Sequence, residues 1–449
     1  AKNAMQKTIL SAALLMGCLS LHAQRVLTLE QCRDAAINHN IAVRSANRSL
    51  EKAQEQKKEA FTKYFPTVAA AGFTYHSSKD VVRGDINTSD VIPSSIASSI
   101  PEAIATMIPS SVPVGLMRNG TAAGITAVQP VFMGGQIVNG NKLAKVGVTA
   151  ADLQRQLSER EVRLTTNQYY WNVVTLQEKL HTLQQTQQML RSLEKDVNTA
   201  VKAGVALRND LLQVQLQENQ VEAAMLEVNN GMKASRQVLG QYIGLSDSAF
   251  VVSGLEAKDS TFVLPVAMRR DPSVAAANMT ESRLLEQNVQ GTVLNRKLEV
   301  GKNLPSVAVG AGYDYVRLVH KDNTFGMVFA TVSIPISSWW GGSHAIKRRK
   351  IEEQEVREQL ADKQQLLSIK VEKEWDDVTV AYRKTLIAWK SIEQSRENLR
   401  LNQQFYHAGT GKMTDLLEAQ PQVQQSRDSW VEAVAAYQLR LAEYEEMTK

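Results

Sequence analysis

Cysteine occurs only twice in the 449 residues, at Cys18 and Cys32, which excludes a disulfide-stapled fold and a zinc site of the cysteine type. Proline is sparse too: its 11 residues leave long tracts dense in Gln, Glu, Lys, Leu, Val and Ala uninterrupted. Such tracts suit unusually long helices. Aromatic residues make up only 6% of the chain. Beyond the N-terminus no run reaches eighteen apolar residues, so no membrane-spanning helix is expected. Enzymatic signatures are missing as well. The seven histidines (His22, His39, His76, His181, His320, His344, His407) are scattered without metal-ligand spacing, and there is no Gly-x-Ser-x-Gly elbow. Gly411-Lys412 lacks the glycine loop and the following hydroxyl of a phosphate cradle. No catalytic residue, cofactor or metal is expected, and any transport must draw its energy from a partner.

The net charge of +5 is spread along the chain. The basic run Lys347-Arg348-Arg349-Lys350 is followed at once by Glu352, Glu353 and Glu355, which reads as a solvated helix face and not as a nucleic-acid surface. At the N-terminus, Lys2 and Lys7 precede a short apolar core from Ile9 to Leu21, with a cleavage position after Ala23. This is the pattern of an export signal, too short to cross a bilayer. Leu15-Met16-Gly17-Cys18 also has the form of a bacterial lipoprotein cleavage box, in which Cys18 would become the acylated first residue; the six residues Leu19 to Gln24 suit ordinary cleavage instead. Both outcomes leave Cys32 without a partner.

The chain repeats itself. Residues 408–420, AGTGKMTDLLEAQ, align without a gap on residues 203–215, AGVALRNDLLQVQ, at an offset of 205. Pro130 and Pro335 share that offset, each ending a β-rich run and each soon followed by a glycine pair, Gly134-Gly135 and Gly341-Gly342. Phe65-Pro66-Thr67-Val68-Ala69 parallels Leu304-Pro305-Ser306-Val307-Ala308 at an offset of 239, so the first half carries a longer loop over 78–119. This is a tandem duplication with one enlarged connector.

Each half reads helix, strand, loop, strand, very long helix, glycine turn, helix. The helices are expected over 28–63, 137–202 and 207–243, and again over 273–303, 344–406 and 413–447. Leu176, Leu180, Leu183, Gln187, Leu190, Leu193, Val197 and Val201 step by three and four. So do Leu211, Val214, Glu218, Val221, Met225, Val228 and Met232, and Val423, Arg427, Trp430, Val434, Tyr437, Leu441 and Tyr444. Stripes so narrow fit antiparallel coiled-coil pairs, and a helix of about 60 residues is roughly 90 Å long. Trp171, Trp375, Trp389 and Trp430 fall in these helices and are read as packing residues.

The strand regions follow a period of two. In SVAVGAGYDY, Val307, Val309, Ala311, Tyr313 and Tyr315 share one face, while Ser306, Ala308, Gly310, Gly312 and Asp314 share the other. An apolar outer face and a small or polar inner face are what a membrane barrel requires, and Trp339-Trp340 beyond the fourth strand suits an interfacial aromatic girdle. Residues 67–75, 121–132 and 325–336 alternate less regularly. Four strands cannot close a barrel, and an open edge in lipid leaves backbone groups unsatisfied at several kcal/mol each. Several chains must pool their strands.

From Leu27 to about Tyr444 the chain resembles the TolC family of bacterial outer-membrane efflux proteins. The resemblance rests on LTLEQCRDAAINHN at 27–40, FPTVAAAGFTY at 65–75, PVFMGGQ at 130–136, LPSVAVGAGYDY at 304–315 and the two glycine phrases, in this order and at duplicated spacing. Two positions depart from the family: its Asn-Pro is Asn40-Ile41 here, and the corresponding Thr280 also lacks proline.

The resemblance implies an α+β membrane protein built as a homotrimer. Its twelve-stranded β-barrel, four strands per chain, would continue into a long α-helical coiled-coil tunnel in the periplasm of a Gram-negative bacterium. It implies outer-membrane lipid, a periplasmic adaptor (membrane fusion) protein and an inner-membrane transporter as partners. The expected layout is an export signal (1–23), a first helix (24–66), a β-hairpin with the long loop (67–132), a long helix, tip turn near 204 and return helix (133–244), and an inter-repeat equatorial segment (245–268). A second helix (269–304), hairpin (305–336) and helix–turn–helix with its tip near 409 (337–449) follow.

By the same resemblance the glycine phrases form the periplasmic tip. Gly204, Val205, Ala206, Gly409, Thr410, Gly411 and Lys412 would then meet the adaptor. Asp415 and Glu418 match acidic residues that form the family's constriction, with Asp210 and Gln213 as first-half equivalents. Crowded around a three-fold axis, such carboxylates repel one another and hold cations. The family has a basic locking residue where Gly411 stands, with Lys412 adjacent. Read without the resemblance, Asp415 and Glu418 are a helix-start capping box. Two rivals to the channel remain: a non-conducting, periplasm-spanning coiled-coil protein, and a glycosidase using this carboxylate pair.

Overall fold

The structure is a computed structural model and describes residues 25–92, 109–116, 118–245, 250–255, 263–318 and 321–449. Its elements run β1 (Arg25–Leu27), α1 (Leu29–His39), α2 (Ile41–Thr62), β2 (Thr67–His76), β3 (Val82–Asn87), α3 (Thr88–Val91), β4 (Ser111–Leu116), β5 (Asn119–Met133), α4 (Gln136–Lys202) and α5 (Arg208–Ile243). After β6 (Phe250–Val252) and a short 3-10 turn come α6 (Pro272–Asn278), α7 (Thr280–Lys302), β7 (Ser306–Leu318), β8 (Lys321–Ser333), α8 (Ser338–His407) and α9 (Met413–Thr448). The chain divides into two compact units, one of residues up to 52, 148–288 and 357–449, the other of residues 53–147 and 289–356. Each unit takes parts of both sequence halves. Among the described residues no helix is long and apolar enough to cross a membrane.

Helix boundaries follow local chemistry. Thr28 caps α1 with a reciprocal box: its hydroxyl accepts from Gln31 N at 3.3 Å while Gln31 Oε1 accepts from Thr28 N at 3.1 Å. The single helix expected over 28–63 is broken at Asn40, whose ψ of 136° is extended and whose Oδ1 accepts from Ala42 N at 2.8 Å. Asparagine thus restarts the helix by capping where proline would do so by exclusion. The helix expected over 273–303 also breaks, at Met279 with ψ 144°, but without a capping side chain. Glycine pairs expected to be equivalent also part company. Gly134 and Gly135 take left-handed φ values of 60° and 74°, whereas Gly341 and Gly342 lie inside α8, which starts at 338 and so includes Trp339 and Trp340.

In the mainly helical unit, narrow apolar seams form the core. Leu183 and Leu190 of α4 meet Val221 and Val228 of α5, with Leu176, Leu180 and Met225 alongside. Val371, Trp375 and Val378 of α8 meet Tyr437, Tyr444 and Met447 of α9, and Trp375 stacks on Tyr444 with ring centroids 5.0 Å apart. Trp389 and Trp430 pair at 5.4 Å, so these tryptophans pack helix on helix. Parallel pairing of β1 with β6 ties the strand before α1 to the inter-repeat segment. There Cys32 is fully buried among Ala36, Val173, Leu239 and Phe250, and burial pushes its thiol up to about 11.

The second unit holds one four-stranded antiparallel sheet, ordered β2-β5-β7-β8. β5 and β7, one from each half, pair from Gly120↔Leu318 to Met133↔Ser306. Residues directly opposite share a face. On the face of Val307 and Tyr313 lie the exposed Val68, Ile125, Val309, Val328 and Val332. The alternation of β7 continues into β8 only in part. Phe325, Met327 and Phe329 stand on the opposite face, across from Asp314, Gly312 and Gly310, and the Phe329 ring fills the space a side chain at Gly310 would need. An aromatic ring here shields the backbone that a strand glycine leaves bare. Within 78–119, expected as loop, β3 and β4 form a second hairpin.

Among the charged contacts that join the repeats, one involves a buried aspartate. Asp428 of α9 is only 8% exposed and lies 3.8 Å from Lys179 of α4. Burial pushes its carboxyl above the usual range, Glu432 adding to this while Lys179 and Arg427 oppose it. A carboxyl whose folded pKa is raised contributes stability below its unfolded value and loses it as pH climbs through the folded one. Asp428→Asn removes the ionised form, so the variant should melt above the parent at pH 7. The gap should close as pH falls toward roughly 4, the ordinary carboxylate value. Circular dichroism melts across pH test this, and a gap independent of pH would refute it.

Candidate functional site

The two glycine turns close helical hairpins that end at the same place. α4 terminates in a Schellman motif: Gly204, at φ 77°, donates to Val201 O at 3.0 Å and Val205 N donates to Ala200 O at 3.0 Å. α8 ends identically, with Gly409 at φ 71°, Gly409 N to Tyr406 O at 2.9 Å and Thr410 N to Phe405 O at 3.0 Å. Beyond them a shared cluster of Leu193, Val197, Val214, Met413 and Leu416, flanked by Val201, Leu211, Leu399 and Tyr406, packs the first hairpin against the second.

The expected tip residues are mostly accessible. Val205 is 79% exposed; Gly204, Gly409, Thr410 and Lys412 are exposed too, while Ala206 and Gly411 are half-buried. Gly411 N also donates to Phe405 O at 2.9 Å, folding the second turn tightly onto its helix.

Asp415 and Glu418 both stay exposed on α9, opposite the buried Met413, Leu416 and Ala419. The capping-box alternative fails. The cap position belongs to Lys412, whose side chain makes no capping bond, and Asp415 sits inside the first turn, where it complements only the helix dipole. Asp210 occupies the equivalent first-turn position of α5, half-buried, and Gln213 carries a buried Oε1 without a hydrogen-bond partner among the described residues. The sequence reading missed Tyr406. Burial raises the pKa of its phenol and the negative charge of Asp210 raises it further, so a hydroxyl of one hairpin lies within the field of a carboxylate on the other. The step of seven from Leu399 was the available signal.

At one end of the sheet stand the aromatic residues. Phe61 packs edge-on to Phe65 at 5.5 Å and tilts against Tyr64 at 5.6 Å, just before β2. After β8, Trp339 Nε1 donates to Asn303 O at 2.8 Å while Trp340 projects, 78% exposed. Cys18 lies outside the described residues.

A family model described as outer membrane efflux protein matches residues 33–245 and 270–446, one segment for each half of the duplication. The chain belongs to that family. Members are efflux channels and not enzymes, and the outer membrane is the efflux protein's location.

Solved structures agree on the fold. VceC of Vibrio cholerae superposes with a TM-score of 0.69 at 13% identity, covering 94% of this chain and 96% of that one. The CmeC outer membrane channel of Campylobacter jejuni gives 0.72 at 13%, over 94% and 85%. The open-state MtrE channel of Neisseria gonorrhoeae gives 0.72 at 16%, over 94% and 88%. No curated protein matches by sequence.

The turns themselves can be tested. A Cβ at Gly204 or Gly409 would meet nothing within 4 Å, so alanine there costs only the left-handed conformation, about 1 kcal/mol. Amide exchange at Val205 and Thr410, whose N–H groups close the turns, should therefore speed up about fivefold in the respective variants. Gly411→Ala should loosen its turn further, because its Cβ would press on the Phe405 backbone at 3.0 Å. Equal effects at all three positions would refute this assignment.

Proposed function

We propose that three copies of this chain form a passive exit channel through the outer membrane. The observation that carries the reading is the sheet: four strands whose outer members, β2 and β8, each pair on one side only among the described residues, beside a face of exposed Val, Ile and Tyr. Lipid offers no hydrogen bonds to such edges. Joining β8 of one copy to β2 of the next satisfies them, and three copies give a closed barrel of twelve strands.

The helical hairpins then supply a conduit in the periplasm. The tip turns, from Gly204 to Ala206 and from Gly409 to Lys412, form the docking site of an adaptor protein, which links the channel to an inner-membrane pump in a tripartite assembly. Asp415 and Glu418, three residues apart on one exposed helix face, supply six carboxylates to a ring at the three-fold axis. The packing of Tyr406 into the apolar cluster that both hairpins share supports a closed resting tip that separates when the adaptor engages. MtrE, of the same fold, has been captured as an open channel, which favours such a two-state tip.

The Asp415→Ala/Glu418→Ala double variant, reconstituted in a planar bilayer, should conduct more than the parent and resist block by multivalent cations. Unchanged conductance and block would remove the gate role. Detergent-extracted parent protein should run as a trimer; a monomer that conducts no ions would favour the coiled-coil scaffold instead.

A further inference from the structure

Helices bordering the sheet carry one surface pattern three times. In α8 the exposed Trp340 is followed by His344, Lys347 and Ile351, all exposed. Steps of four, three and four place them on one helix face, with Lys347 about 10 Å along the axis from the indole. In α2, Lys57 stands one turn from Phe61, again both exposed. In α4, the exposed Val138 leads by four residues to the exposed Lys142. Every time, the apolar residue lies nearer the strand and the lysine farther from it. The pairing registers put the start of β2 and the ends of β5 and β8 at the same end of the sheet. The three patterns therefore surround one rim.

Three nearby acids are already engaged. Glu352 takes Arg349 at 2.8 Å and Arg348 at 3.8 Å, Glu353 takes Arg296 at 2.7 Å, and Glu55 takes Lys58 at 2.7 Å. Among the described residues no ion pair engages Lys57, Lys142 or Lys347.

We infer that these lysines form a basic collar that binds the headgroups of anionic phospholipid in the leaflet next to the helices. The inference rests on the proposed membrane insertion of the sheet. With the strands in hydrocarbon, Trp340, Phe61 and Val138 lie at the interface, where aromatic side chains anchor. Ammonium groups one to two turns further on then reach phosphate depth, where basic residues attract anionic lipid. This absorbs the basic run at 347–350, which the channel mechanism leaves unused: Arg348 and Arg349 hold the helix through Glu352, and Lys347 faces the lipid.

The test uses the detergent-purified full chain and a Lys57→Gln/Lys142→Gln/Lys347→Gln variant. Each is mixed with equal amounts of dioleoylphosphatidylglycerol and dioleoylphosphatidylcholine, and the retained lipids are read by native mass spectrometry. The parent should retain phosphatidylglycerol preferentially, each lysine contributing roughly fivefold. In the variant, and in high salt, the preference should fall toward parity with oligomeric state unchanged. No preference in the parent, or an undiminished one in the variant, overturns the collar. A shifted reversal potential in the variant, with lipid preference intact, would place the lysines in the conduit and overturn it too. Flotation separates this from the underlying reading: a parent that fails to float with phosphatidylcholine vesicles refutes membrane insertion itself, whereas flotation without headgroup preference refutes only the collar.

Discussion

Backbone hydrogen bonding at the edges of a four-stranded sheet constrains everything else in this protein. β5 and β7 satisfy their backbones on both sides, and their pairing welds the two sequence halves into one sheet. β2 and β8 reach only halfway. In water an unpaired edge is tolerable because solvent completes it. Beside a face of Val68, Ile125, Tyr313 and Val328 that suits lipid, nothing but another strand can do so. In the proposed membrane setting a four-stranded sheet needs copies of itself to complete its edges, and the proposed trimer answers that accounting of N–H and C=O groups.

The helices answer a different demand. α4 and α8, of 67 and 70 residues, cannot bury a broad face, so their stability comes from narrow seams repeated turn after turn. Reversing direction at the end of such a helix requires a left-handed residue, met by Gly204 and Gly409 at φ 77° and 71°. Each turn is held by only two or three backbone bonds and is otherwise solvated. The turns are mostly exposed where the proposed partner would bind, and that same end carries the carboxylates of Asp210, Asp415 and Glu418 close to the contact between hairpins.

Much of this was legible in the residues alone because it depends on local periodicity. Heptad steps from Leu176 to Val201 and from Leu211 to Met232 marked the hairpin seam, and the alternation from Ser306 to Asp314 marked β7. Other features were hidden because a partner far along the chain decides them. Met327 and Phe329 lie opposite the small-residue face of β7 since Gly312 and Gly310 leave space there, and no pattern within β8 announces that. The break at Met279 carries no proline and no capping side chain. Tyr406 gained its place in the candidate site only when Asp210, 196 positions earlier, came near it.

Sequence by itself determined the duplication, the helix and strand periods, the two glycine turns and the shortage of strands, since each rests on backbone preferences and spacings within a few residues. Tertiary structure decided which strand of one half pairs with which of the other, which face β8 presents, and which acidic group stands beside Tyr406. Those outcomes depend on contacts across hundreds of residues, where register and packing, and not local propensity, select the neighbour.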